Sequence, residues 1–264
     1  MKNVIKFNDP NDWESTVLKE VKETYFIPKF INRNNCLDLG VNIGAFSMVN
    51  YSRFDRIIGF EASSDLCQSA KKNFEKNNIT GVNVLHLAAY SNSNSTVKLR
   101  ALEKRELGTN IPGSAHSRDS TILDISNNQL DELGFNHGVT EEFEEVNTIN
   151  FSDTALLFNN ERINYIKCDI EGAEYDFFVE ADLRTVDFIS MELHYTFLGK
   201  DKVAKLMKHF DQYFEFYGAY NLNDFLNSWP PPQIVNLINK EIITPKIRLN
   251  LMINKILNRL KNII

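Results

Sequence analysis

A single segment sets the architecture expected of this chain: Cys36-Leu37-Asp38-Leu39-Gly40-Val41-Asn42-Ile43-Gly44-Ala45-Phe46-Ser47. Its apolar beginning, residues 36–39, suits a buried parallel strand. Gly40 and Gly44 then interrupt the strand before a segment that can form a helix, and glycines there let the backbone turn tightly and approach a ligand closely. The helix presents unpaired N–H groups and a positive dipole end to that ligand. The segment therefore predicts a ligand-binding βα turn.

A second strand is predicted at residues 56–60, and Glu61 follows it directly. An acidic residue at this place can accept hydrogen bonds from the hydroxyl groups of a ribose. The alternative is a βα turn that binds nothing, which any α/β protein can contain. Because Glu61 stands where a ribose would need it, the two features together favour a nucleoside cofactor.

The spacing of the glycines distinguishes between two such cofactors. A dinucleotide site has the pattern G-x-G-x-x-G and holds a pyrophosphate against the helix N-terminus. Here the two glycines are four residues apart, Asn42 stands between them, and Asp38 lies within the end of the strand. A carboxylate there would repel a pyrophosphate but could hold the ammonium group of an amino acid. The segment thus favours S-adenosyl-L-methionine over NAD.

The rest of the chain alternates strands with helices. This pattern predicts an α/β fold with a doubly wound, mainly parallel sheet and helices on both faces. We predict one domain over residues 1–241. Residues 101–144 form a polar, glycine-containing insertion, and because long loops in compact domains are often functional lids, we expect this one to cover the acceptor site. Residues 242–264 form a basic, amphipathic tail.

Composition narrows the class of protein. The chain has 264 residues, of which 43% are hydrophobic and 24% charged, as in ordinary globular proteins. A net charge of −6 offers no electrostatic basis for binding nucleic acid. The three cysteines form no C-x-x-C pair, which indicates reduced thiols. The N-terminus lacks the apolar run of a signal peptide and no window is long enough to span a membrane, so we expect a cytoplasmic location.

The tail begins with Thr244-Pro245, a favourable helix start because proline suits the first helical position. We predict a helix, although Ile247, Leu249 and Leu251 also alternate with polar residues as a short edge strand would. Such a helix either docks on the core or, through residues 246–264, contacts a membrane surface or a protein partner. The expected apolar stripe consists of Leu249, Met252, Ile253, Ile256, Leu257, Leu260, Ile263 and Ile264.

Reactive side chains follow two further predicted strands, Asp169 with Glu171 after the first and Glu192 with His194 at the end of the second. Ligands of doubly wound sheets bind beyond the carboxyl ends of the strands. The members of each pair are two residues apart, so they project to one side if the backbone is extended. Methylation of an oxygen needs a base to accept the hydroxyl proton.

His194 is the candidate base because the pKa of histidine lies nearest neutral pH. Glu192 would orient its ring. Asp169 and Glu171 would position the acceptor or the methionine ammonium. The simpler roles are a helix cap for Asp169 or Glu171, an ion pair with Lys167 for Glu192, and a hydrogen-bonded core position for His194. Their joint occurrence at one sheet edge favours a catalytic cluster.

The same acids and histidine could also hold a divalent ion that polarises the acceptor oxygen. No metal-binding loop motif accompanies them in the sequence. We therefore expect a metal-free site.

Five segments follow one another along the chain in an informative order: Asp38-Leu39-Gly40-Val41-Asn42-Ile43-Gly44-Ala45-Phe46-Ser47, Gly59-Phe60-Glu61, Ala88-Ala89-Tyr90-Ser91, Ile166-Lys167-Cys168-Asp169-Ile170-Glu171-Gly172-Ala173-Glu174 and Met191-Glu192-Leu193-His194. They resemble the FkbM family of S-adenosylmethionine-dependent methyltransferases over residues 36–195. The Asp-Ile-Glu-Gly-Ala-Glu block is the most specific part. Val41, where the family usually has alanine, the 101–144 insertion and the basic tail depart from the family pattern.

The resemblance implies a class I methyltransferase fold and oxygen methylation, often of sugars or other secondary metabolites. The expected function is therefore methyl transfer from S-adenosyl-L-methionine to a hydroxyl of a sugar, glycan or related small molecule. One alternative is an NAD-type dinucleotide enzyme on the same fold. Another is a non-catalytic cofactor-binding protein that docks through its basic tail. The cofactor residues implied are Asp38, Gly40, Asn42, Gly44, Glu61 and Ala89.

Overall fold

The computed structural model describes residues 5–7, 13–104, 120–123, 137–139, 141–218 and 221–261. Within these ranges the chain forms two β-sheets and the helices that accompany them. The helices are α1 (Trp13–Thr24), α2 (Ala45–Asn50), α3 (Ser64–Lys76), α4 (Phe151–Leu157), α5 (Glu174–Phe178), α6 (Tyr195–Phe210), α7 (Leu222–Asn227) and α8 (Pro245–Lys261). The strands are β1 (Asn35–Leu39), β2 (Arg56–Glu61), β3 (Val82–His86), β4 (Ala88–Ala89), β5 (Thr96–Lys104), β6 (Ser120–Thr121), β7 (His137–Val139), β8 (Glu144–Ile149), β9 (Tyr165–Cys168), β10 (Phe188–Glu192), β11 (Phe214–Phe216) and β12 (Ile234–Asn239).

The larger sheet has the strand order β11-β12-β10-β9-β1-β2-β3. Five neighbouring strands of this sheet, β10, β9, β1, β2 and β3, are parallel. The strand β12 runs antiparallel to both β10 and β11. This confirms the predicted doubly wound, mainly parallel sheet. β1 lies beside β9, although β2 and β3 follow it in sequence, so the strand order reverses between β1 and β9. Ligands of such sheets bind at the carboxyl ends of the strands on either side of this reversal.

The antiparallel strand β12 is a feature that the sequence analysis missed. Its apolar residues, among them Val235 and Leu237, are buried between β10 and the edge strand β11. The segment is short and follows a proline-rich stretch, so its pattern alone does not distinguish it from an irregular connection. The segment forms a regular strand because it pairs with β10, a contact that its local sequence does not indicate.

The central strands are buried because the larger sheet has an apolar cluster on each face. In β1, Leu37 and Leu39 contact one cluster, and Cys36, whose side chain points to the opposite face, contacts the other. Cys36, Cys67 and Cys168 are all buried and carry free thiols, as predicted. Burial on both faces explains why β1 and β9 read as nearly continuous apolar runs rather than alternating ones.

A second sheet has the order β4-β8-β5-β6, with β7 also paired to β5. The strands β6 and β7 belong to the 101–144 insertion, so this segment continues a sheet that β5 and β8 begin. The residues 105–119, 124–136 and 140 lie outside the described part of the chain. The role of the insertion as a lid, and the domain boundary at residue 241, stay predictions.

The C-terminal segment is helical as predicted, in α8. Its contacts differ from the predicted stripe: Ile247 and Leu251 are buried in the core cluster that also contains Cys36, whereas Leu249, Met252 and Ile253 are exposed. The side chains of the other predicted stripe residues, Ile256, Leu257, Leu260, Ile263 and Ile264, lie outside the described part of the chain. Among the described residues, no helix combines the length and apolarity that crossing a bilayer requires.

Gly40 allows a close contact between the turn after β1 and the residue that follows β9. Its φ is +73°, and a Cβ atom built there would lie 1.7 Å from the carbonyl oxygen of Asp169. Gly199 has a similar φ of +70° but open space around it. We expect Gly199→Ala to lower the free energy of unfolding by about 1–3 kcal/mol, the cost of placing alanine in a backbone region that is nearly restricted to glycine.

Gly40→Ala should lower the free energy of unfolding by at least about 3 kcal/mol, because the clash adds to the same backbone strain. Urea unfolding of both variants and the parent protein measures the difference. Equal losses for the two variants would show that the turn and the end of β9 are not tightly packed.

Candidate active site

A cleft of about 650 Å³, open to solvent, lies at the carboxyl ends of β1, β2 and β9. This is the position that the strand order predicts for a ligand. The residues that line it are Gly40, Asn42, Phe60, Glu61, Ala62, Leu66, Leu87, Ala88, Ala89, Ile122, Asp169, Ile170, Glu171 and Ala173.

Glu61 lies in one end of the cleft, where the sequence analysis expects the ribose of the cofactor. Its side chain is nearly buried, and its two carboxylate oxygens accept backbone N–H bonds from Asn42 at 2.7 Å and from Ser63 at 2.9 Å. Burial raises the pKa of Glu61, and the two N–H bonds oppose that rise. The carboxylate is therefore held in one orientation against the turn that follows β1.

The turn that follows β1 lines the same end of the cleft through Gly40 and Asn42. The N–H groups of Gly40 and Val41 both donate to the carbonyl of Phe60, at 3.0 and 3.1 Å. Asn42 has a φ of +54°, a conformation that asparagine tolerates better than most residues. Gly40, Asn42, Glu61 and Ala89 thus line the cleft as predicted.

Two of the predicted cofactor residues, Asp38 and Gly44, lie outside the lining of the cleft, and their role stays a prediction. Asp38 is completely buried, where one oxygen accepts a bond of 2.6 Å from the Ser47 hydroxyl. Gly44 begins α2, and a Cβ atom there would approach the Phe74 ring to 2.7 Å. Neither residue lines the cleft. Asp38 is enclosed because it lies within the buried strand β1, and Gly44, the N-cap of α2, permits close packing against Phe74 of α3.

Lys167 joins the two halves of the site, and the sequence analysis gave it no functional role. Its ammonium group is buried, donates to the carbonyls of Leu39 at 3.1 Å and Gly40 at 2.5 Å, and lies 3.7 Å from Asp38 and 3.6 Å from Asp169. Burial lowers the pKa of Lys167, but the nearby carboxylates outweigh that effect and leave the pKa raised. A lysine inside an otherwise apolar strand is the signal that could have identified it.

Asp169 and Glu171 line the opposite end of the cleft, as predicted, but not by the expected geometry. Glu171 has a φ of +49°, so the pair does not lie in extended backbone. The Thr121 hydroxyl, from the insertion, donates to the Glu171 carbonyl at 3.0 Å and holds this turn. Asp169 accepts a bond of 2.8 Å from the Tyr25 hydroxyl. Tertiary contacts, rather than strand alternation, bring the two carboxylates together.

His194 contacts the two carboxylates at this end of the cleft from behind the cleft lining, and it lies at the N-terminus of α6 and not within β10. Its Nε2 is 3.2 Å from Glu171 Oε2 and 3.8 Å from Asp169 Oδ1. Its Nδ1 lies 2.6 Å from Oε1 of Glu174, a fully buried carboxylate. His194, Asp169 and Glu171 are thus gathered as predicted.

The carboxylate in contact with Nδ1 of His194 is Glu174, whereas the sequence analysis assigned the orienting role to Glu192. Glu192 lies at the end of β10 and accepts a hydrogen bond from the Gln233 side chain on the neighbouring β12. Glu174 belongs to the acidic block after β9, but its approach to His194 depends on how α5 packs beside α6. Because this contact depends on packing between two helices, the sequence alone does not predict it.

The electrostatics of the cluster bear on the role expected for His194. Burial lowers its pKa, but the charge and hydrogen bond of Glu174, followed by Glu171 and Asp169, outweigh burial and raise the pKa to about 10. Burial raises the pKa of Asp169, but Lys167 and His194 leave it lowered. The surrounding carboxylates therefore favour the charged form of the His194 ring. A charged ring can hold these carboxylates in place, and the role of His194 as the base stays a prediction.

The strand order and the cleft define a Rossmann-like α/β protein of the class I methyltransferase type. A sequence model of the Methyltransferase FkbM domain matches residues 38–220, well over half of the chain. The chain therefore belongs to the FkbM family of methyltransferases. The cofactor of this class is S-adenosyl-L-methionine, as the sequence analysis predicted.

Individual relatives are distant. The chain is 23% identical to Methyltransferase 1 of Beauveria bassiana (strain ARSEF 2860) over 166 residues, which cover 59% of this chain and 61% of the relative. Methyltransferase FkbM from Methylobacillus flagellatus KT superposes with a TM-score of 0.45 at 12% identity, over 82% of this chain and 47% of that chain. The M. capricolum TrmK complex with S-adenosyl-homocysteine superposes with a TM-score of 0.39 at 8% identity, over 85% of this chain and 68% of that chain. The chain thus spans under two thirds of the first two relatives.

The raised pKa of His194 predicts a pH dependence of stability. The charged ring stabilises the fold fully below the unfolded pKa of about 6.5, and this contribution is lost as the pH rises through the folded value of about 10. We expect the free energy of unfolding to fall between pH 7 and pH 10, and Glu174→Gln to weaken that fall because it removes the largest partner.

Urea unfolding across this range, in buffer with a chelator, measures the effect. Nitrogen-15 spectra of the histidine side chains report the His194 pKa directly, and the exposed variant Glu180→Gln serves as the control. A His194 ring that titrates at the same pH in the parent protein and in Glu174→Gln would contradict this account.

Proposed function

We propose that this chain transfers the methyl group of S-adenosyl-L-methionine to a hydroxyl oxygen of a sugar, glycan or related small molecule. The observation that supports this proposal is the single cleft, which has a nucleoside-type end at Glu61 and a proton-handling end at Asp169 and Glu171. Methyl transfer requires that donor and acceptor meet in one space with their reacting atoms aligned. A cleft with these two ends meets that requirement.

The residues at the first end fit the cofactor. Glu61 has a fixed carboxylate suited to a ribose diol, and the small and apolar side chains of Leu66, Leu87 and Ala89 offer a surface for a planar base. Because Asp38 is enclosed, Asp169 is the carboxylate that faces the methionine ammonium. When bound, the cofactor supplies an electrophilic methyl group on a sulfonium.

The second end fits an oxygen acceptor. A hydroxyl is a poor nucleophile until its proton is accepted, and Asp169 and Glu171 are half-buried carboxylates at the cleft. As the oxygen attacks the methyl carbon and the bond from carbon to sulfur breaks, the hydroxyl proton passes to a carboxylate of this cluster. The products are a methyl ether and S-adenosyl-L-homocysteine. His194 keeps the carboxylates in place and in their charged form.

The alternatives receive less support from the molecule. The turn after β1 lacks G-x-G-x-x-G, and the carboxylates of Asp38 and Asp169 lie close to where a pyrophosphate would bind. A non-catalytic binding protein would have no need for the cluster around His194. Contact with a membrane or partner through residues 246–264, and a cytoplasmic location, stay predictions.

The cofactor assignment is tested at Glu61. We expect Glu61→Gln to weaken binding of S-adenosyl-L-homocysteine at least tenfold, because the carboxylate is lost where the ribose hydroxyls would donate. Isothermal titration calorimetry measures this, with Glu75→Gln, an exposed substitution on α3, as the control. The same titration with NAD should show no binding. Tight NAD binding without affinity for S-adenosyl-L-homocysteine would establish the dinucleotide alternative instead.

The transfer chemistry is tested at Glu171. We expect Glu171→Gln to bind S-adenosyl-L-homocysteine within about twofold of the parent protein yet lose at least about 100-fold in methyl transfer, a typical loss for a proton-accepting group. Radiolabelled cofactor and a panel of sugars, nucleotide sugars and polyols provide the assay, with Glu180→Gln as the control. Full activity in Glu171→Gln would remove this carboxylate from the reaction. Absence of transfer to every hydroxyl acceptor, with normal cofactor binding, would favour the non-catalytic alternative.

A further inference from the structure

We propose that Asp169, Glu171 and His194 form a binding site for one divalent metal ion at the acceptor end of the cleft. One ligand atom from each residue lies within 4.8 Å of the others. The existence of the site follows from these side chains alone. The use of the ion, to polarise the acceptor hydroxyl, rests on the function proposed above.

The separations of the ligand atoms suit a metal ion. Bonds of about 2.1 Å to nitrogen and oxygen place adjacent ligand atoms about 3 Å apart. The distance from His194 Nε2 to Glu171 Oε2 is already 3.2 Å, and that to Asp169 Oδ1 is 3.8 Å. A side-chain adjustment of under about 1 Å therefore completes the arrangement. Because Nδ1 of His194 contacts Glu174, the other ring nitrogen, Nε2, faces Asp169 and Glu171.

A second observation supports a ligand at this place. Ligating histidines usually donate their other ring N–H to a carboxylate, which fixes the ring and the tautomer. Here Nδ1 of His194 lies 2.6 Å from Glu174 Oε1, which also accepts the Gly172 N–H at 3.2 Å. The other oxygen of Glu174 is buried without a hydrogen-bond partner among the described residues. A buried carboxylate behind the ring is the outer support that a metal site requires.

The backbone around Glu171 is constrained in a way that aims its carboxylate. Glu171 and Gly172 both have positive φ values, +49° and +99°, and a Cβ atom on Gly172 would approach Leu123 to 2.6 Å. The Thr121 hydroxyl holds the Glu171 carbonyl at 3.0 Å. Strained backbone conformations of this kind persist where the surroundings over-determine them. The described part of the insertion thus fixes one ligand of the site.

The charges around the cluster also favour a dication. Three carboxylates, Asp169, Glu171 and Glu174, surround His194, and Lys167 is the ammonium that pairs with this group, 3.6 Å from Asp169. Binding of the ion at Nε2 displaces the proton of the His194 ring, and the three carboxylates then exceed the lysine by two negative charges. Carboxylates that are partly or fully buried are stable only when paired or bound to metal.

The mixed set of one imidazole nitrogen and two carboxylate oxygens suits Mn²⁺ or Zn²⁺ better than an all-oxygen ion such as Ca²⁺. Three protein ligands leave coordination positions open. Since Asp169 and Glu171 line the cleft, these positions face the space for the acceptor. A hydroxyl oxygen bound there becomes more acidic, which assists the loss of its proton.

The test uses Mn²⁺ alone as the probe. The chelator-treated full chain is titrated with Mn²⁺, and free ion is followed by electron paramagnetic resonance. We expect one bound ion with a dissociation constant below about 1 mM, and affinity at least tenfold weaker in His194→Gln and in Glu171→Gln. The control is His86→Gln, because Nε2 of His86 lies 3.1 Å from Glu144 in a histidine–carboxylate pair away from the cluster. It should bind Mn²⁺ as the parent protein does.

Thermal unfolding confirms that each variant is folded, and Asp169→Asn replaces any variant that is not. Failure of the parent protein to bind Mn²⁺, or equal affinity in the parent and in all ligand variants, overturns the metal site. Calorimetry with S-adenosyl-L-homocysteine on the same samples separates this outcome from failure of the proposed function. If the parent protein binds the cofactor product but not Mn²⁺, the result contradicts the metal site and leaves the proposed function standing. If it binds Mn²⁺ but not the cofactor product, the result contradicts the assigned methyl donor and leaves the metal site standing.

Discussion

The buried ammonium of Lys167 is the interaction on which the site depends. It lies at the reversal of strand order, where it bonds to the carbonyls that end β1 and pairs with a carboxylate on each side, Asp38 and Asp169. Removing such a charge from water is costly and is offset only when partners surround it. Asp38, Lys167 and Ser190 occupy aligned positions on three neighbouring strands. The central strands therefore carry a polar row within an otherwise apolar core.

This arrangement couples the two ends of the cleft. The turn that holds Glu61 touches the residue after β9 through Gly40, so the cofactor end and the acceptor end share one rigid junction. The chemistry of a methyltransferase demands such a junction, because the methyl carbon must meet its acceptor within a few tenths of an ångström of the right geometry. Tyr25, from the N-terminal helix region, adds a further restraint through its bond to Asp169.

The acceptor end combines a protonatable ring with several acids in a small, partly buried space. The contact between His194 and Glu174 determines which ring nitrogen faces the cleft, and the surrounding carboxylates determine the charge of the ring. Such a cluster can hold either a proton or a metal ion at Nε2. Asp169 and Glu171 line the cleft beside this ring.

The amino-acid sequence alone predicted the parallel sheet and the turn with Gly40 and Asn42. It also predicted the carboxylate of Glu61 at the next strand end and the proximity of Asp169, Glu171 and His194. These follow from local patterns, since a buried run, a glycine turn and the carboxyl end of a strand each have a short sequence signature. Only the tertiary structure showed that Asp38 is enclosed and that Gly44 permits helix packing. It also showed that His194 pairs with Glu174 instead of Glu192, and where Lys167 lies. Each depends on which side of a strand faces a neighbouring element, and that is set by packing between segments far apart in the chain.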